Sequence, residues 1–339
     1  MNNAIFNFSL PSNEPIYSYL PGSPERIALE KELDRQSKQQ IEIPLIIGGK
    51  EIKTGKTGKV VMPNDHKHIL AIYHKAGSKE VKMAINAALN AKHEWMNLSW
   101  IERASIMNKV AELISKKYRY LISASTMLGQ GKNCFQAEID AICEVIDYLR
   151  FNSYFVSQVY NLQPAGNNDT INRLEYRPLE GFVYTISPFN FTAIALNLNT
   201  SVVLMGNTTV WKPATTSLLS NYYLMQIYKE AGMPDGVINF VPGSGAEISE
   251  VILKHNMLAG IHFTGSTETF RNLWKMTSDN LQNYKSYPKI VGETGGKDFI
   301  FAHNSANPIE LATAITRGAF EYQGQKCSAA SRAYIPASI

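Results

Sequence analysis

The sequence predicts an α/β protein whose mainly parallel, Rossmann-type sheet carries helices on both faces. Between Phe182 and about residue 277, four short β-branched or aromatic runs alternate with four helical patterns. Glycines stand where helices in this region should end, at Gly206 and Gly232, and Pro234 follows as a stop signal. Such alternation is typical of βαβ units, which bind nucleotides at the carboxyl ends of their strands.

The segment before Ser78 predicts an irregular arm with short strands, because turn clusters at 20–23 and 48–49 interrupt it. Apolar residues at helical spacing then predict a helix that begins at Ser78 and a second helix around 104–114. A third helix is expected from about Phe135 to Tyr160. The polar stretch that follows predicts a hairpin excursion near 161–180.

The alternating region gives four predicted strands and four predicted helices. The strands are expected at Phe182 to Ile186, Thr208 to Trp211, Val237 to Val241 and Gly260 to Phe263. The helices are expected at about 192–205, 217–231, 246–255 and 267–277.

Composition excludes several classes of protein. Of the 339 residues, 45% are hydrophobic and 18% are charged, which is unlike disordered, collagenous or coiled-coil chains. A net charge of +4 without a basic cluster does not favour nucleic acid, and no apolar run is long enough to span a bilayer. Three cysteines and no secretory leader favour a cytoplasmic protein. We therefore expect small-molecule partners.

Three predicted strand ends carry residues that suit nucleotide chemistry. Asn190, after the strand that ends at Ile186, could donate its side-chain amide to an oxyanion or could cap a helix. Lys212 could reach a ribose or phosphate, or could be a solvated charge. Gly265 and Ser266 precede a helix whose N-terminus could bind a pyrophosphate, although no G-x-G-x-x-G motif is present.

Two further segments suit covalent catalysis. Glu293 lies next to a glycine pair and could act as a general base, or could form a surface ion pair with Lys297. Cys327 follows the cation Lys326, which predicts a thiol with a depressed pKa that reacts faster than Cys134 or Cys143. A papain-like hydrolase is disfavoured because no histidine follows Cys327.

A metal site is not expected, because the cysteines and histidines never adopt ligand spacings such as C-x-x-C or H-E-x-x-H.

Five segments, read in chain order, resemble the aldehyde dehydrogenase superfamily. They are Pro188-Phe189-Asn190, Trp211-Lys212-Pro213, Phe263-Thr264-Gly265-Ser266, Glu293-Thr294-Gly295-Gly296-Lys297 and Gly324-Gln325-Lys326-Cys327-Ser328. Further details resemble the 1-pyrroline-5-carboxylate dehydrogenase branch. They are Ala137-Glu138-Ile139-Asp140, Arg150-Phe151-Asn152, the stretch Arg177 to Thr192, Phe270 in place of a glycine, and Tyr322 to Ala329.

This resemblance implies an NAD-dependent enzyme that oxidises L-glutamate γ-semialdehyde to L-glutamate in proline degradation. It implies that Cys327 attacks the aldehyde to give a thiohemiacetal and then a thioester, with Asn190 at the oxyanion and Glu293 as the base. The resemblance also assigns NAD-binding and substrate positions. The NAD-binding positions are Ser187, Pro188, Lys212, Gly265 and Ser266, and the substrate positions are Glu138, Phe191, Lys326 and Ser328.

The resemblance further implies an NAD-binding domain at 1–295 and the first part of a catalytic domain at 296–339. Family members continue well past the nucleophile, whereas Ile339 follows Cys327 by twelve residues, so we expect a truncated chain whose complete form is a homo-oligomer. Two alternatives stay open. One is an inactive NAD-binding or interaction fragment of this enzyme, and the other is a different aldehyde dehydrogenase branch, such as one for succinate semialdehyde.

Overall fold

The structure, a computed structural model, describes residues 8–339. In this range the α-helices are α1 (Pro24–Ser37), α2 (Ser78–Asn97), α3 (Trp100–Leu113), α4 (Arg119–Gln130), α5 (Cys134–Ala137), α6 (Glu144–Asn161), α7 (Thr192–Leu204), α8 (Leu218–Ala231), α9 (Gly245–Ile252), α10 (Thr267–Asp279) and α11 (Pro308–Phe320). The strands are β1 (Ile41–Ile43), β2 (Leu45–Ile47), β3 (Lys50–Ile52), β4 (Thr57–Met62), β5 (Asp65–His74), β6 (Phe182–Ile186), β7 (Thr209–Lys212), β8 (Ile238–Phe240), β9 (Leu258–Thr264), β10 (Lys289–Glu293), β11 (Phe299–Phe301) and β12 (Arg332–Tyr334).

The main sheet has the strand order β10-β9-β6-β7-β8-β2-β3. The pairs from β10 to β8 are parallel, and β2 joins β8 and β3 in antiparallel fashion. The predicted mainly parallel sheet is therefore confirmed. The chain runs outward through β6, β7 and β8 and then returns to place β9 on the other side of β6, so the order of strands reverses between β6 and β9. Ligands of open α/β sheets bind at such a reversal.

Helices cover both faces of this sheet because its side chains alternate between two hydrophobic clusters. Trp211 packs with the side chains of α3, α6, α7 and α8 on one face. Its neighbour Val210 packs with side chains of α2, α9 and α10 on the other face. Successive residues of a strand point to opposite faces, so one strand supplies both clusters. All five residues of β6 are buried, as expected for an internal strand.

The predicted elements of the alternating region are confirmed, with boundaries that differ by a few residues. The strand at 182–186 has the predicted bounds, and α7, α8, α9 and α10 overlap the four predicted helices. The predicted long helix around 135–160 consists of α5, a π-helical segment (Glu138–Cys143) and α6 in direct succession. A second π-helical segment, Ile114–Tyr118, joins α3 to α4.

The prediction of an irregular arm before Ser78 is wrong for residues 24–37, which form α1. Ser23 caps this helix by accepting a hydrogen bond from the Arg26 N–H, and Pro24 occupies the first turn. The helix escapes a search for apolar periodicity because Leu29 and Gln36 are its only buried residues. Three strands of this region, β1, β5 and β4, form a small separate sheet, whereas β2 and β3 join the main sheet.

The excursion predicted near 161–180 folds back on itself. The Asn167 N–H donates to the Thr170 carbonyl at 3.0 Å, and the Gln163 side chain bonds the Leu174 backbone. Residues 162–181 are all described, and none of them forms a regular strand.

Residues 294–339 extend beyond the main sheet. β10 pairs with β9 at the edge of that sheet, whereas β11 and β12 form a separate two-stranded parallel sheet. Across the described residues, no helix is long and apolar enough to cross a bilayer.

Candidate active site

The strand register brings the predicted functional segments to one edge of the main sheet. Ile186 pairs with Lys212 on one side and with Phe263 on the other, and Thr264 pairs with Glu293. A cleft of about 690 Å³ opens at this edge. Among the residues that line the cleft are Pro188, Asn190, Gly265, Ser266, Gly296, Lys326 and Cys327. Residues from four distant parts of the chain thus meet beside the strand reversal.

Cys327 follows the segment Tyr322–Lys326, which we call the nucleophile loop. The Cys327 backbone lies directly against Gly296, where an added Cβ would stand 1.5 Å from the Cys327 carbonyl oxygen. No side chain fits at that distance, so the approach requires glycine. The Cys327 thiol is half-buried, and Cys134, Cys143 and Cys327 are all free.

The Glu293 carboxylate lies beside the Cys327 thiol. Burial raises the pKa of Cys327, and the negative charge of Glu293 raises this pKa further, while the backbone N–H groups of Ser328 and Cys327 oppose the change. The prediction of a depressed thiol pKa is therefore wrong. The Lys326 ammonium forms ion pairs with Asp140 at 2.8 Å and Glu321 at 3.3 Å, so its charge is already compensated.

Asn190 contacts the nucleophile loop. Its side-chain Nδ2 donates to the Gln325 carbonyl at 2.7 Å, and α7 begins two residues later without a side-chain cap. Asn190 therefore does not cap α7. Because a primary amide has two N–H donors, one remains for a group that enters the cleft.

Lys212 ends β7 as a partly buried cation. Within the part of the chain that the structure describes, no carboxylate or carbonyl oxygen is hydrogen-bonded to its ammonium, and burial lowers the pKa of Lys212. An added Cβ at Gly245, in the first turn of α9, would lie 3.9 Å from the Lys212 Cε. The ammonium thus stands between β7 and the start of α9 with its donors available to a polar ligand.

Ser187 does not face the cleft, although the neighbouring Pro188 does. Its buried hydroxyl accepts a hydrogen bond from the Trp211 indole at 2.9 Å, and its N–H donates to the Lys212 carbonyl at 3.3 Å. These bonds tie the end of β6 to β7. The predicted contact of Ser187 with a coenzyme is therefore not supported by its side chain.

Gly265 and Ser266 lead from β9 into α10. Ser266 caps this helix by accepting a hydrogen bond from the Thr269 N–H, and the helix N-terminus lies at the cleft because Gly265 and Ser266 both line it. The Gly265 N–H donates to the Glu293 carbonyl at 3.1 Å and fixes β10 beside β9. Phe270 packs over Gly292, where an added Cβ would lie 2.1 Å from the ring.

Glu138 does not reach the cleft. It is fully buried, pairs with Arg119 and accepts hydrogen bonds from the Tyr19 hydroxyl at 2.6 Å and the Tyr17 N–H at 2.9 Å. The prediction of Glu138 as a substrate-site residue is corrected accordingly. Its carboxylate instead fastens the N-terminal arm to the helical layer, because a buried charge needs such partners.

Another carboxyl, Glu144, lies near the reactive pair and was missed in the sequence. Burial and the neighbouring Asp140 charge raise the pKa of Glu144 to about 7. A pocket of about 450 Å³ beside it is lined by Asn13, Glu144, Asp147, Tyr148, Phe151, Asn152 and Phe155. Tyr148 links this pocket to the cleft, since the charges of Glu144, Glu293 and Cys327 all raise its pKa, although less than burial does.

Neither of two other predicted substrate positions, Phe191 and Ser328, is among the residues that line the cleft, although Lys326 and Ser328 flank Cys327 in the chain. Phe191 is buried, with the Lys326 ammonium 5.4 Å and the Lys132 ammonium 4.4 Å from its ring centroid. Ser328 is exposed and follows Cys327 directly. In residues 8–339 no group of three or more His, Cys, Asp or Glu side chains could hold a metal ion.

The chain matches the model of the aldehyde dehydrogenase family over residues 51–339. It is 50% identical to the "Probable delta-1-pyrroline-5-carboxylate dehydrogenase" of Schizosaccharomyces pombe over 334 residues, which are 97% of this chain and 61% of that protein. It is 48% identical to "Delta-1-pyrroline-5-carboxylate dehydrogenase, mitochondrial" of Dictyostelium discoideum over 98% of this chain and 60% of that protein.

Solved structures give the same result. The NAD-bound Delta-pyrroline-5-carboxylate dehydrogenase of Mycobacterium tuberculosis superimposes with a TM-score of 0.97 at 49% identity, over 99% of this chain and 63% of that one. The NAD-bound 1-pyrroline-5-carboxylate dehydrogenase from Thermus gives 0.89 at 28% identity, over 97% and 64%. The chain spans about three fifths of the length of these relatives. The fold, the ordered motifs and the family match together establish that the chain belongs to the aldehyde dehydrogenase family.

Proposed function

We propose that this chain takes part in the NAD-dependent oxidation of L-glutamate γ-semialdehyde to L-glutamate, a step of proline degradation. The observation that carries the proposal is the meeting of Cys327, Glu293 and Asn190 at one edge of the sheet. The printed names of relatives at 48–50% identity support the choice of substrate.

Cys327 is the proposed nucleophile. The negative charge of Glu293 raises the pKa of the thiol and so disfavours a thiolate beside it. Transfer of the thiol proton to Glu293 neutralises that charge, and the thiolate can then form. The thiolate sulfur then bonds to the aldehyde carbon, and the carbonyl oxygen becomes an oxyanion. The free N–H of the Asn190 amide and the Cys327 backbone N–H are the proposed donors to this oxygen.

The thiohemiacetal collapses to a thioester on Cys327 as its C–H bond breaks. NAD, when bound, would supply the acceptor for the hydride that leaves. Glu293 first releases the thiol proton to bulk water and, ionised again, removes a proton from a second water; the hydroxide attacks the thioester carbon, and the carbon–sulfur bond breaks to release glutamate and the thiolate. The position of Glu293 beside Cys327 supports both of its proposed proton transfers.

The residues at the cleft fit a dinucleotide. The Lys212 ammonium, which has no hydrogen-bond acceptor among residues 8–339, suits a ribose hydroxyl, since a partly buried cation gains free energy from a polar partner. The N-terminus of α10, with Gly265 and Ser266, suits a pyrophosphate. Pro188 lines the same cleft, and we propose these four residues as the NAD-binding set.

The substrate side is proposed to include Lys326, which lines the cleft, Ser328, which follows Cys327, and Phe191, whose ring centroid lies 5.4 Å from the Lys326 ammonium. We add Glu144, because its carboxyl lies near Lys326 and lines the pocket on the α6 side. A carboxyl whose pKa is near neutrality can bind an anionic part of a substrate when it is protonated and a cationic part when it is ionised.

We also propose the division into an NAD-binding domain at 1–295 and the beginning of a catalytic domain at 296–339. The separate pairing of β11 with β12 supports a boundary near Gly295. A cytoplasmic location and a homo-oligomeric complete protein remain proposals, and some relatives carry the word mitochondrial in their names. Fractionation and mass measurement of the endogenous protein would test them.

The test is to mix the purified chain with NAD and glutamate γ-semialdehyde and to follow NADH absorbance. Cys327→Ala is the control for chemistry, and calorimetry with NAD measures coenzyme binding separately. NADH formation that needs Cys327 supports the proposal. NAD binding without NADH formation would support an interaction role instead, and a preference for succinate semialdehyde in kcat/KM would assign another branch.

A further inference from the structure

The nucleophile loop is held under backbone strain. Tyr322 and Gln323 have φ values of 48° and 54°, in the left-handed region that residues other than glycine rarely adopt. Such strain persists only where surrounding contacts impose it. At the first end of the loop, the buried Tyr322 hydroxyl donates to the Gln130 carbonyl at 2.6 Å.

At the other end of the loop, Lys326 is held by Asp140, which lies on the π-helical segment between α5 and α6. The Lys326 ammonium is 2.8 Å from one carboxylate oxygen of Asp140 and 3.1 Å from the other. Asp140 also pairs with Lys132 at 2.6 Å, and both of these side chains are buried. One carboxylate thus holds two lysines.

Lys132 connects the two ends of the loop. Its ammonium lies 4.6 Å from the centroid of the Tyr322 ring and 4.4 Å from that of Phe191. Lys132 therefore makes a cation–π contact with Tyr322, at the first end of the loop, and an ion pair with Asp140, which holds the other end. We define Lys132, Asp140 and Lys326 as the Asp140 triad.

We propose that Asp140 is a positioning residue, which holds the nucleophile loop through Lys326 and Lys132 so that Cys327 stays beside Glu293. The inference rests on the proposed function in one respect, because it takes Cys327 as the reacting group. Asp140 itself bonds only to lysines in the described contacts and does not line the cleft.

The pKa of the Cys327 thiol depends on the position of the loop. Among residues 8–339, the charged or titratable groups that face the Cys327 thiol are Glu293 from β10 and Tyr148 from α6, whereas the ammonium of the adjacent Lys326 is paired with Asp140. Glu144 and Lys132 lie one step further, next to Asp140. Release of the loop would take the thiol away from Glu293 and from its buried setting, so the pKa of Cys327 would fall toward that of an ordinary thiol.

A purely structural role makes a different prediction. Asp140 could be only a buried ion-pair partner, whose loss lowers the free energy of unfolding without moving Cys327. Glu14 offers a matched comparison, because it is a buried carboxylate that pairs with Arg119 and Arg150 at 2.7 Å and contacts no part of the nucleophile loop.

The experiment measures alkylation of Cys327 by iodoacetamide as a function of pH, with peptide mass spectrometry to separate Cys327 from Cys134 and Cys143. The variants are Asp140→Asn and, as the control, Glu14→Gln, each with its urea unfolding curve. We expect the midpoint for Cys327 to fall by about one pH unit in Asp140→Asn. We expect Glu14→Gln to lose stability and to keep the wild-type midpoint.

A second variant covers the case in which Asp140→Asn does not fold. Asp140→Asn/Lys132→Met removes both ions of the buried pair, so no unpaired charge is left between them. It should also show the lower midpoint, because Lys326 has lost its main partner. An unchanged midpoint in the folded variant would overturn the inference.

The outcome for the wild-type chain separates the two proposals. If wild-type Cys327 titrates as an ordinary exposed thiol, the proposed nucleophile site is wrong. If wild-type Cys327 has the raised midpoint and the Asp140 variant has it too, only the positioning role is wrong.

Discussion

The carboxylate of Glu293 lies beside the thiol of Cys327 and raises the pKa of that thiol. Glu293 ends β10, whereas Cys327 follows the strained loop after α11, so the contact depends on two separately built segments. The pair has the arrangement of a nucleophile and its base, in which the carboxylate disfavours the resting thiolate and accepts its proton.

Replacement of Glu293 should therefore make the thiol more acidic and the enzyme slower. In Glu293→Gln we expect Cys327 to be alkylated at lower pH than in the wild type, because a negative neighbour is gone. Turnover should fall by about 10²–10⁴-fold through the loss of the base. Glu310→Gln, at an exposed carboxylate of α11, is the control. A higher alkylation midpoint in Glu293→Gln would contradict the geometry.

Gly296 should not tolerate even one methyl group. Gly296→Ala places its Cβ 1.5 Å from the Cys327 carbonyl oxygen, and the resulting displacement should cost about 1–3 kcal/mol of unfolding free energy. The neighbouring Gly295 has no atom within 4 Å of an added Cβ. Urea unfolding of Gly295→Ala is the matched control, and equal losses in the two variants would count against the close backbone approach.

Lys212 should matter for coenzyme and not for folding. In Lys212→Met we expect NAD to bind about 10–100-fold more weakly, as for the loss of one hydrogen bond to a charged group. Stability at neutral pH should stay the same or rise, because the ammonium is desolvated without a partner. Calorimetry and unfolding of the same samples test both parts, with the exposed Lys229→Met as control. Unchanged NAD affinity would exclude the proposed contact.

Glu144 should make stability depend on pH. Its pKa is raised from 4.5 to about 7 in the folded state, so the folded protein binds a proton that the unfolded chain has lost between these values. This contribution to stability is present at low pH and is lost as pH rises through about 7. As the pH rises from 5 to 8, the urea unfolding midpoint of Glu144→Gln should therefore increase relative to that of the wild type. A difference between the two proteins that does not change with pH would show that Glu144 has an ordinary pKa.

Glu138 should behave as a structural residue. Because it pairs with the buried Arg119, Glu138→Gln should lose about 3–5 kcal/mol of unfolding free energy. We expect the KM for the aldehyde to stay within about twofold at temperatures where the variant is folded, since ordinary contacts outside a site change binding little. A large rise in KM would restore Glu138 to the substrate side.

The sequence predicted the sheet and the meeting of Asn190, Lys212 and Gly265, because parallel strands end at a common edge and each strand carried a clear pattern. It did not predict α1, whose stripe of buried residues is too narrow to produce a period. It also gave the wrong sign for the Cys327 pKa. Adjacent Lys326 is visible in the sequence, but its partner Asp140 lies 186 positions away and is found only after folding.

Glu144 was missed for a related reason. It follows Asp140 by one helical turn, so the two carboxyls share a face, but the sequence does not say whether that face meets solvent or the reactive pair. The family resemblance pointed to Glu138 as the substrate-site carboxylate. The π-helical segment that contains Glu138 turns this carboxylate toward the N-terminal arm.

The most direct test of the central claim is the time course of NADH formation when the chain is mixed with NAD and glutamate γ-semialdehyde. We predict NADH formation by the wild-type chain and none by Cys327→Ala, with NAD still bound by the variant. NADH formation at the wild-type rate in Cys327→Ala, or none in a wild-type chain that binds NAD, would contradict the account.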